Sequence, residues 1–439
     1  MRLQTWRALG RYGIGLGLRG VEVVGKLGLY IIAARALGAH DAGLFFLCLT
    51  WIGLASTMAR LGLERAITRH IAAELAIGQG LAAGRDLRTG LIGTGLAATL
   101  AAVVAYALAG PASHLLFGAP DLETPLRLSA LVLLPQTLTI TLGSALAGLK
   151  RGIAAQFVQN ALWPVLMLAA LLAGISSLDS LILALAGCLT LSALVGTALL
   201  VRDRHRFTDQ PVPTDAAASA NDRAEVLPSL WHTARPLFVV ELVQVSLASL
   251  PVLALGVFVD AASVGAFSVA NRISMLVWVV VICIGTFAAP NYAELHRRGE
   301  TQRLLAMNRG VMLTVAALGL PMVSVMMAAP ELLLDLIGQG FGSAATALRI
   351  LAVGQMIHCL LACQDILLAM TGHGRALRRL NLLQLAVCIL LGAVLIPVFG
   401  MIGAAVVTAL TIAQGAIGTT LVRLLLFRRP REAAAVERA

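Results

Sequence analysis

Residues Gly17 to Gly43 read GLRGVEVVGKLGLYIIAARALGAHDAG, and the fold turns on this stretch. It is long and apolar enough to cross a bilayer, since about 20 helical residues span a hydrocarbon core of ~30 Å. Yet it carries Arg19, Glu22, Lys26 and Arg35. A charge inside a membrane helix is costly unless it meets water or a partner. Arg19, Glu22 and Lys26 stand at i, i+3 and i+7 and so share one helical face. A membrane helix built this way turns its charged face toward a wet cavity, and the rest of the chain reads as the wall of that cavity.

Working outward, the 439 residues are 59% apolar and only 13% charged, whereas a soluble protein carries nearer ~25% charge. The chain is an all-α polytopic membrane protein. No soluble domain is inserted, and no nucleic-acid partner is expected. Cys48, Cys188, Cys283, Cys359, Cys363 and Cys388 all lie in apolar runs without a C-x-x-C or a His/Cys cluster, so they read as packing residues rather than disulfides or metal ligands. No metal or other cofactor is expected. The basic start MRLQTWRALGRYG precedes an apolar run that is too long, and too charged at Glu22 and Lys26, for a signal peptide; it reads as an uncleaved first helix.

Apolar windows give twelve spans, near 15–37, 42–59, 89–109, 126–149, 155–174, 180–201, 235–259, 264–289, 309–329, 346–370, 380–399 and 402–426. Basic residues cluster in alternate loops, among them Arg65, Arg69, Lys150, Arg151, Arg204, Arg297, Arg298 and Arg378. The intervening loops carry Asp41, Asp121, Asp179, Asp260 and Glu331 instead. The excess of positive charge on one side places both termini in the cytoplasm. The expected organisation is a six-helix lobe at 1–201, a cytoplasmic linker at 202–233, a second six-helix lobe at 234–427 and a cytoplasmic tail at 428–439.

The halves repeat. Glu22 matches Glu241, Gly43-x-Phe45 matches Gly265-x-Phe267, and Ala73-Glu74-Leu75 matches Ala293-Glu294-Leu295. Pro111 with Gly118 matches Pro330 with Gly338, and Leu126-Arg127-Leu128 matches Leu348-Arg349-Ile350. The offset stays between 219 and 222. An even number of spans separates the copies, so the repeat is parallel, an arrangement used by alternating-access transporters.

No catalytic constellation is present, and an enzyme is not expected. The intramembrane charges are the candidates. Lys26 and Arg272 read as cavity-lining cations, with a structural pair to Glu22 the alternative for Lys26, and Arg19, one turn inside its span, either serves the cavity or snorkels to the inner interface. Glu22 and Glu241, at matching places, could bind protons or cations, or could simply balance nearby Arg and Lys; Asp365 is a further acid of this kind. His358, deep in the tenth span, reads as a hydrogen-bonded structural histidine, and Arg127 and Arg349 as interfacial anchors. Cations in a pocket of low dielectric attract phosphate. A pyrophosphate-linked lipid presents that charge beside a large polar headgroup.

The stretches ARALGAHDAGLF (34–45) and RLGLERAITR (60–69) resemble the polysaccharide biosynthesis flippases, the Wzx-type O-antigen and lipopolysaccharide exporters. His40 and Ala42 stand where that family more often has Pro or Glu and Tyr. The same superfamily holds the multidrug and toxin extrusion (MATE) transporters and the lipid II flippases. The resemblance implies two six-helix lobes alternating between inward-open and outward-open states. It implies movement of undecaprenyl-pyrophosphate-linked sugars between leaflets, with Arg19 or Lys26, Arg60 and Arg272 lining the cavity. The expected partners are a lipid-linked oligosaccharide, membrane lipids and other polysaccharide assembly proteins, with proton or sodium coupling open. A drug/cation antiporter is the rival within the fold; a membrane polymerase or ligase would need a sizeable outer loop that the chain lacks.

Overall fold

The computed structural model describes residues 2–208 and 229–428, with side chains over 17–208 and 229–427. Most of the expected linker and tail, and the side chains of Arg2, Arg7 and Arg11, lie outside the described residues. The chain forms α1 (Arg2–Arg60), α2 (Leu63–Ala76), α3 (Gly80–Pro111), α4 (Glu123–Gly148), α5 (Gly152–Gln156), α6 (Leu162–Leu172), α7 (Leu178–Arg202) and α8 (Leu230–Phe258). There follow α9 (Ala261–Ser274), α10 (Leu276–Arg297), α11 (Thr301–Ala328), α12 (Pro330–Asp335), α13 (Ala345–Leu360), α14 (Gln364–Met370) and α15 (Gly374–Arg428). No strand occurs among the described residues.

Ten stretches of helix among the described residues are long and apolar enough to cross a membrane. Two of them break at a glycine, α1 at Gly38 (φ 75°) and α15 at Gly400 (φ 53°). Both breaks fall where the hydropathy pattern separates neighbouring spans, and glycine reaches such backbone without a steric penalty. Two other spans, expected to be continuous, are interrupted. The span at 264–289 breaks at Met275, between α9 and α10, and the span at 346–370 stops at Leu360. The second break centres on Cys363 at φ 61°. Neither has a proline or glycine to announce it. Buried contacts hold the Cys363 turn: its thiol lies 3.9 Å from the Val281 carbonyl, and Gln364 Nε2 donates to the Ala362 carbonyl at 3.0 Å.

The chain divides into two compact units. Unit 1 comprises Met1–Leu37 and Leu44–Val245; unit 2 comprises Gly38–Gly43 and Ser246–Ala439. The division therefore runs through α8 rather than through the linker. In unit 1, α4 is the central helix, packed by α2, α3 and α7. A core of Leu63, Ile67, Ile71, Leu142 and Leu146 is closed by Leu230 and Ala234 at the start of α8. In unit 2 the matching helix α13 packs against α9, α11 and α15. Within unit 2, a Cβ on Gly43 would overlap the Ala261 carbonyl oxygen, and one on Gly265 would overlap that of Ala39. Ala39/Gly43 and Ala261/Gly265 thus cross backbone to backbone, the close approach that small residues four apart allow.

Left-handed turns recur at the repeat spacing. Gly78 (φ 76°) pairs with Gly299 (φ 71°), Gly118 (φ 55°) with Gly340 (φ 92°), and Lys150 (φ 59°) with Gly372 (φ 82°). This adjusts one sequence match: the partner of Gly118 is Gly340, two residues beyond Gly338. The same turns cap the preceding helices alike, with Gln79 N donating to the Glu74 carbonyl and Glu300 N to that of Leu295.

Candidate functional site

The charged face of the opening stretch is a connected cluster inside unit 1. Glu22 is the hub: Arg19 Nη1 donates to its Oε2 at 3.0 Å, Lys26 Nζ to its Oε1 at 2.8 Å, and Gln156 Nε2 to its Oε2 at 2.6 Å. Lys26 also donates to Asn160 Oδ1 at 3.3 Å and stands 5.8 Å from the Trp163 ring centroid. Two features build this arrangement. The i, i+3, i+7 spacing stacks the three charges on α1, and a π-helical turn at Phe157–Ala161 separates α5 from α6. Such turns widen a helix locally and often mark working sites. Here Gln156, just before the turn, and Asn160, within it, both face α1.

The burial is graded. The Glu22 side chain is 11% exposed, Lys26 27% and Arg19 37%. A carboxylate this deep is tolerable only because cations and an amide surround it. The cations keep an open side, and so can engage an incoming anion.

The other candidates take separate places. Arg60 is buried at the end of α1, donating to Ser56 Oγ at 2.7 Å and Thr57 Oγ1 at 2.8 Å, with Glu64 at ion-pair distance, 3.2 Å. Its guanidinium is turned inward on its own helix. Glu241 does not share the Glu22 cluster but forms an ion pair with Arg65 at 2.6 Å. Arg272 is half-buried in the last turn of α9, and Asp365 is exposed in the first turn of α14; both belong to unit 2. His358 departs from its hydrogen-bonded expectation: it stacks on Trp278 at 4.6 Å, and its Nε2 has no hydrogen-bond partner among the described residues. Arg127 pairs with Glu123 at 2.6 Å and Arg349 with Glu331 at 2.9 Å. All six cysteines are free.

Reading charges alone misses Gln156, Asn160 and Trp163. The signal was present in QFVQNALWP (156–164), where three amides fall within five residues of an apolar span. A separate groove of about 550 Å³ between α3, α4 and α7 is lined almost wholly by apolar side chains such as Leu134, Leu138 and Leu194. It suits a lipid chain rather than a headgroup.

The sequence profile described as "Polysaccharide biosynthesis protein" matches residues 21–296, well over half the chain and inclusive of the whole Glu22 cluster except Arg19. Among solved structures, a MATE-family multidrug resistance transporter of the MOP superfamily, in an inward-facing conformation, is similar at a TM-score of 0.68 and 16% identity, covering 94% of this chain and 97% of that one. The lipid II flippase MurJ, in an inward closed conformation, is similar at a TM-score of 0.69 and 10% identity, covering 93% of this chain and 86% of that one. The Vibrio cholerae MATE transporter VcmN in its bent form gives 0.56 and 16%, covering 93% and 95%. No curated protein matches the sequence. The fold is that of a MATE-like multi-pass membrane protein.

Proposed function

The chain belongs to the polysaccharide biosynthesis protein family, and from that membership we propose that it is a flippase. It moves an undecaprenyl-pyrophosphate-linked oligosaccharide, an O-antigen or exopolysaccharide repeat unit, from the cytoplasmic to the periplasmic leaflet of a bacterial inner membrane by alternating access. The observation that carries this reading is the Glu22 cluster: two cations, two amides and an indole ring gathered inside a membrane-spanning unit. Lys26 and Arg19 suit a pyrophosphate. Gln156 and Asn160 can exchange hydrogen bonds with sugar hydroxyls, and the Trp163 face offers an apolar surface to a sugar ring.

Glu22 fits into the cycle as the resting counter-ion. With no substrate bound it neutralises Lys26 and Arg19, sparing both the cost of an unpaired charge. A pyrophosphate that takes the cations leaves Glu22 uncompensated, and a proton or sodium ion then relieves it. The deciding experiment follows the leaflet position of labelled lipid-linked oligosaccharide in cells depleted of this protein. Accumulation on the cytoplasmic side, reversed by re-expression, supports the flippase. Unchanged distribution in cells without a redundant flippase defeats it.

The second reading, a drug/cation antiporter, is favoured by the buried carboxylate of Glu22 and by the MATE-like fold. Drug efflux that persists in Lys26→Ala but is lost in Glu22→Gln would select it over the flippase.

A further inference from the structure

We propose that His70, Glu74 and Asp86 form a binding site for a divalent transition-metal cation of the zinc class, at the junction of α2, α3 and the first turn of α8. His70 and Glu74 stand four apart on α2 and so share a face. Asp86 comes from α3, across the left-handed Gly78 turn. One ligand atom from each lies within 4.8 Å of the other two.

Three observations point to a cation. First, Glu74 is only 7% exposed, and its Oε2 is buried with no hydrogen-bond partner. A buried acceptor left so is expensive, and a metal ion would satisfy it. Second, among the described residues no lysine or arginine forms an ion pair with Glu74 or Asp86, and Asp86 is paired with His70. Third, the imidazole is already oriented. His70 is 1% exposed, its Nδ1 lies 2.6 Å from Asp86 Oδ2, and its Nε2 lies 3.0 Å from Thr233 Oγ1. Metal-bound histidines are characteristically steadied through the second ring nitrogen.

One nitrogen and two carboxylates suit zinc, cobalt, nickel or manganese, and three protein ligands leave a position open to water. The fit requires a small adjustment. With each donor ~2.1 Å from the ion in tetrahedral geometry, the His70–Asp86 pair opens to about 3.4 Å. Because Thr233 opens the helix that follows the linker, ligation would tie that helix to the α2–α3 hairpin. The site is separate from the Glu22 cluster and does not depend on what the protein transports.

The test uses the full chain purified in detergent and stripped with a chelator. Cobalt titration is followed by visible absorption and zinc titration by calorimetry. The expected result is one ion per chain, with zinc affinity lowered about 100-fold or more in Glu74→Gln and Asp86→Asn. Thr233→Val, which keeps all three ligands, is expected to weaken binding by about 10- to 100-fold. Should Asp86→Asn fail to fold, Glu74→Gln and Thr233→Val decide. No saturable binding at one per chain, or unchanged affinity in Glu74→Gln, overturns the site and leaves His70–Asp86 as a structural ion pair.

Discussion

Two helical hairpins, one in each unit, meet the same structural need with different chemistry. In unit 1, His70 on α2 reaches Asp86 on α3 at 2.6 Å. In unit 2, the Tyr292 hydroxyl on α10 donates to Asn308 on α11 at 3.0 Å. Each pair is 16 residues apart, and each spans a left-handed glycine, Gly78 or Gly299. The unit 2 link is neutral, and Asn308 is met again by Gln364 at 3.3 Å. The unit 1 link is titratable and has the orphaned Glu74 beside it. The contrast extends inward. Unit 1 holds the Glu22 cluster and the buried Arg60, while the buried hydrogen bonds of unit 2 between α10, α11 and α14 run through hydroxyl and amide groups. The repeat thus preserves backbone turns, which are geometric necessities, and lets the side chains they bring together diverge. Unit 1 holds the buried pairs Arg60–Glu64 and His70–Asp86, whereas the Arg349–Glu331 pair of unit 2 is exposed.

The sharpest way to break that comparison is at Lys26. Lys26→Ala is expected to cut export about tenfold or more, the equivalent of one charge-assisted hydrogen bond of ~1.5–3 kcal/mol, with the protein still in the membrane. Arg272→Ala in unit 2 tests the other cation expected from the sequence to line the cavity, by the same export assay. If Arg272→Ala abolishes export and Lys26→Ala does not, the ionic work lies in unit 2 and the contrast fails.

Backbone geometry gives the next effect. Gly43→Ala and Gly265→Ala should each lower stability by about 1–3 kcal/mol, the usual cost of overpacking, because the obstacle is a carbonyl group that cannot rotate away. Gly53, with open space around its Cβ position, is the control; Gly53→Ala should leave the melting temperature unchanged or slightly raised. Equal effects at Gly43 and Gly53 would dispose of the helix crossing.

In the neutral hairpin, Asn308→Ala strands the Tyr292 hydroxyl and Gln364, and thermal unfolding should show a loss of about 1–3 kcal/mol with export retained in the surviving protein. The smallest effect is expected at Arg65→Ala. Its partner Glu241 is 22% exposed and Arg65 itself 49%, so the pair contributes only ~0–1 kcal/mol. A larger loss there would enlarge the ionic network of unit 1 to include Glu241.

Much of the fold was legible in advance. The span boundaries at Gly38 and Gly400 followed from hydropathy, and the repeat followed from short matched motifs at one offset. The breaks at Met275 and Cys363 were not legible, because no helix-breaking residue marks them and packing around Gln364 and Asn308 holds the second. The site was half legible. Arg19, Glu22 and Lys26 declared a common face by spacing, whereas Gln156, Asn160 and Trp163 joined them only when α5 and α6 were laid alongside α1.

By itself the sequence determined the membrane class, the order of helices, the internal repeat and the charged stripe on α1. Hydropathy and helical period are local properties, set by residues within a few turns of one another. Only the tertiary structure decided which partner each charge would take. Glu22 met Gln156 from 134 positions away, Glu241 met Arg65 instead of sharing the Glu22 cluster, and His70 met Thr233 from 163 positions away. Those pairings depend on how whole helices pack, and a polar group removed from water accepts whichever partner the packing brings within reach.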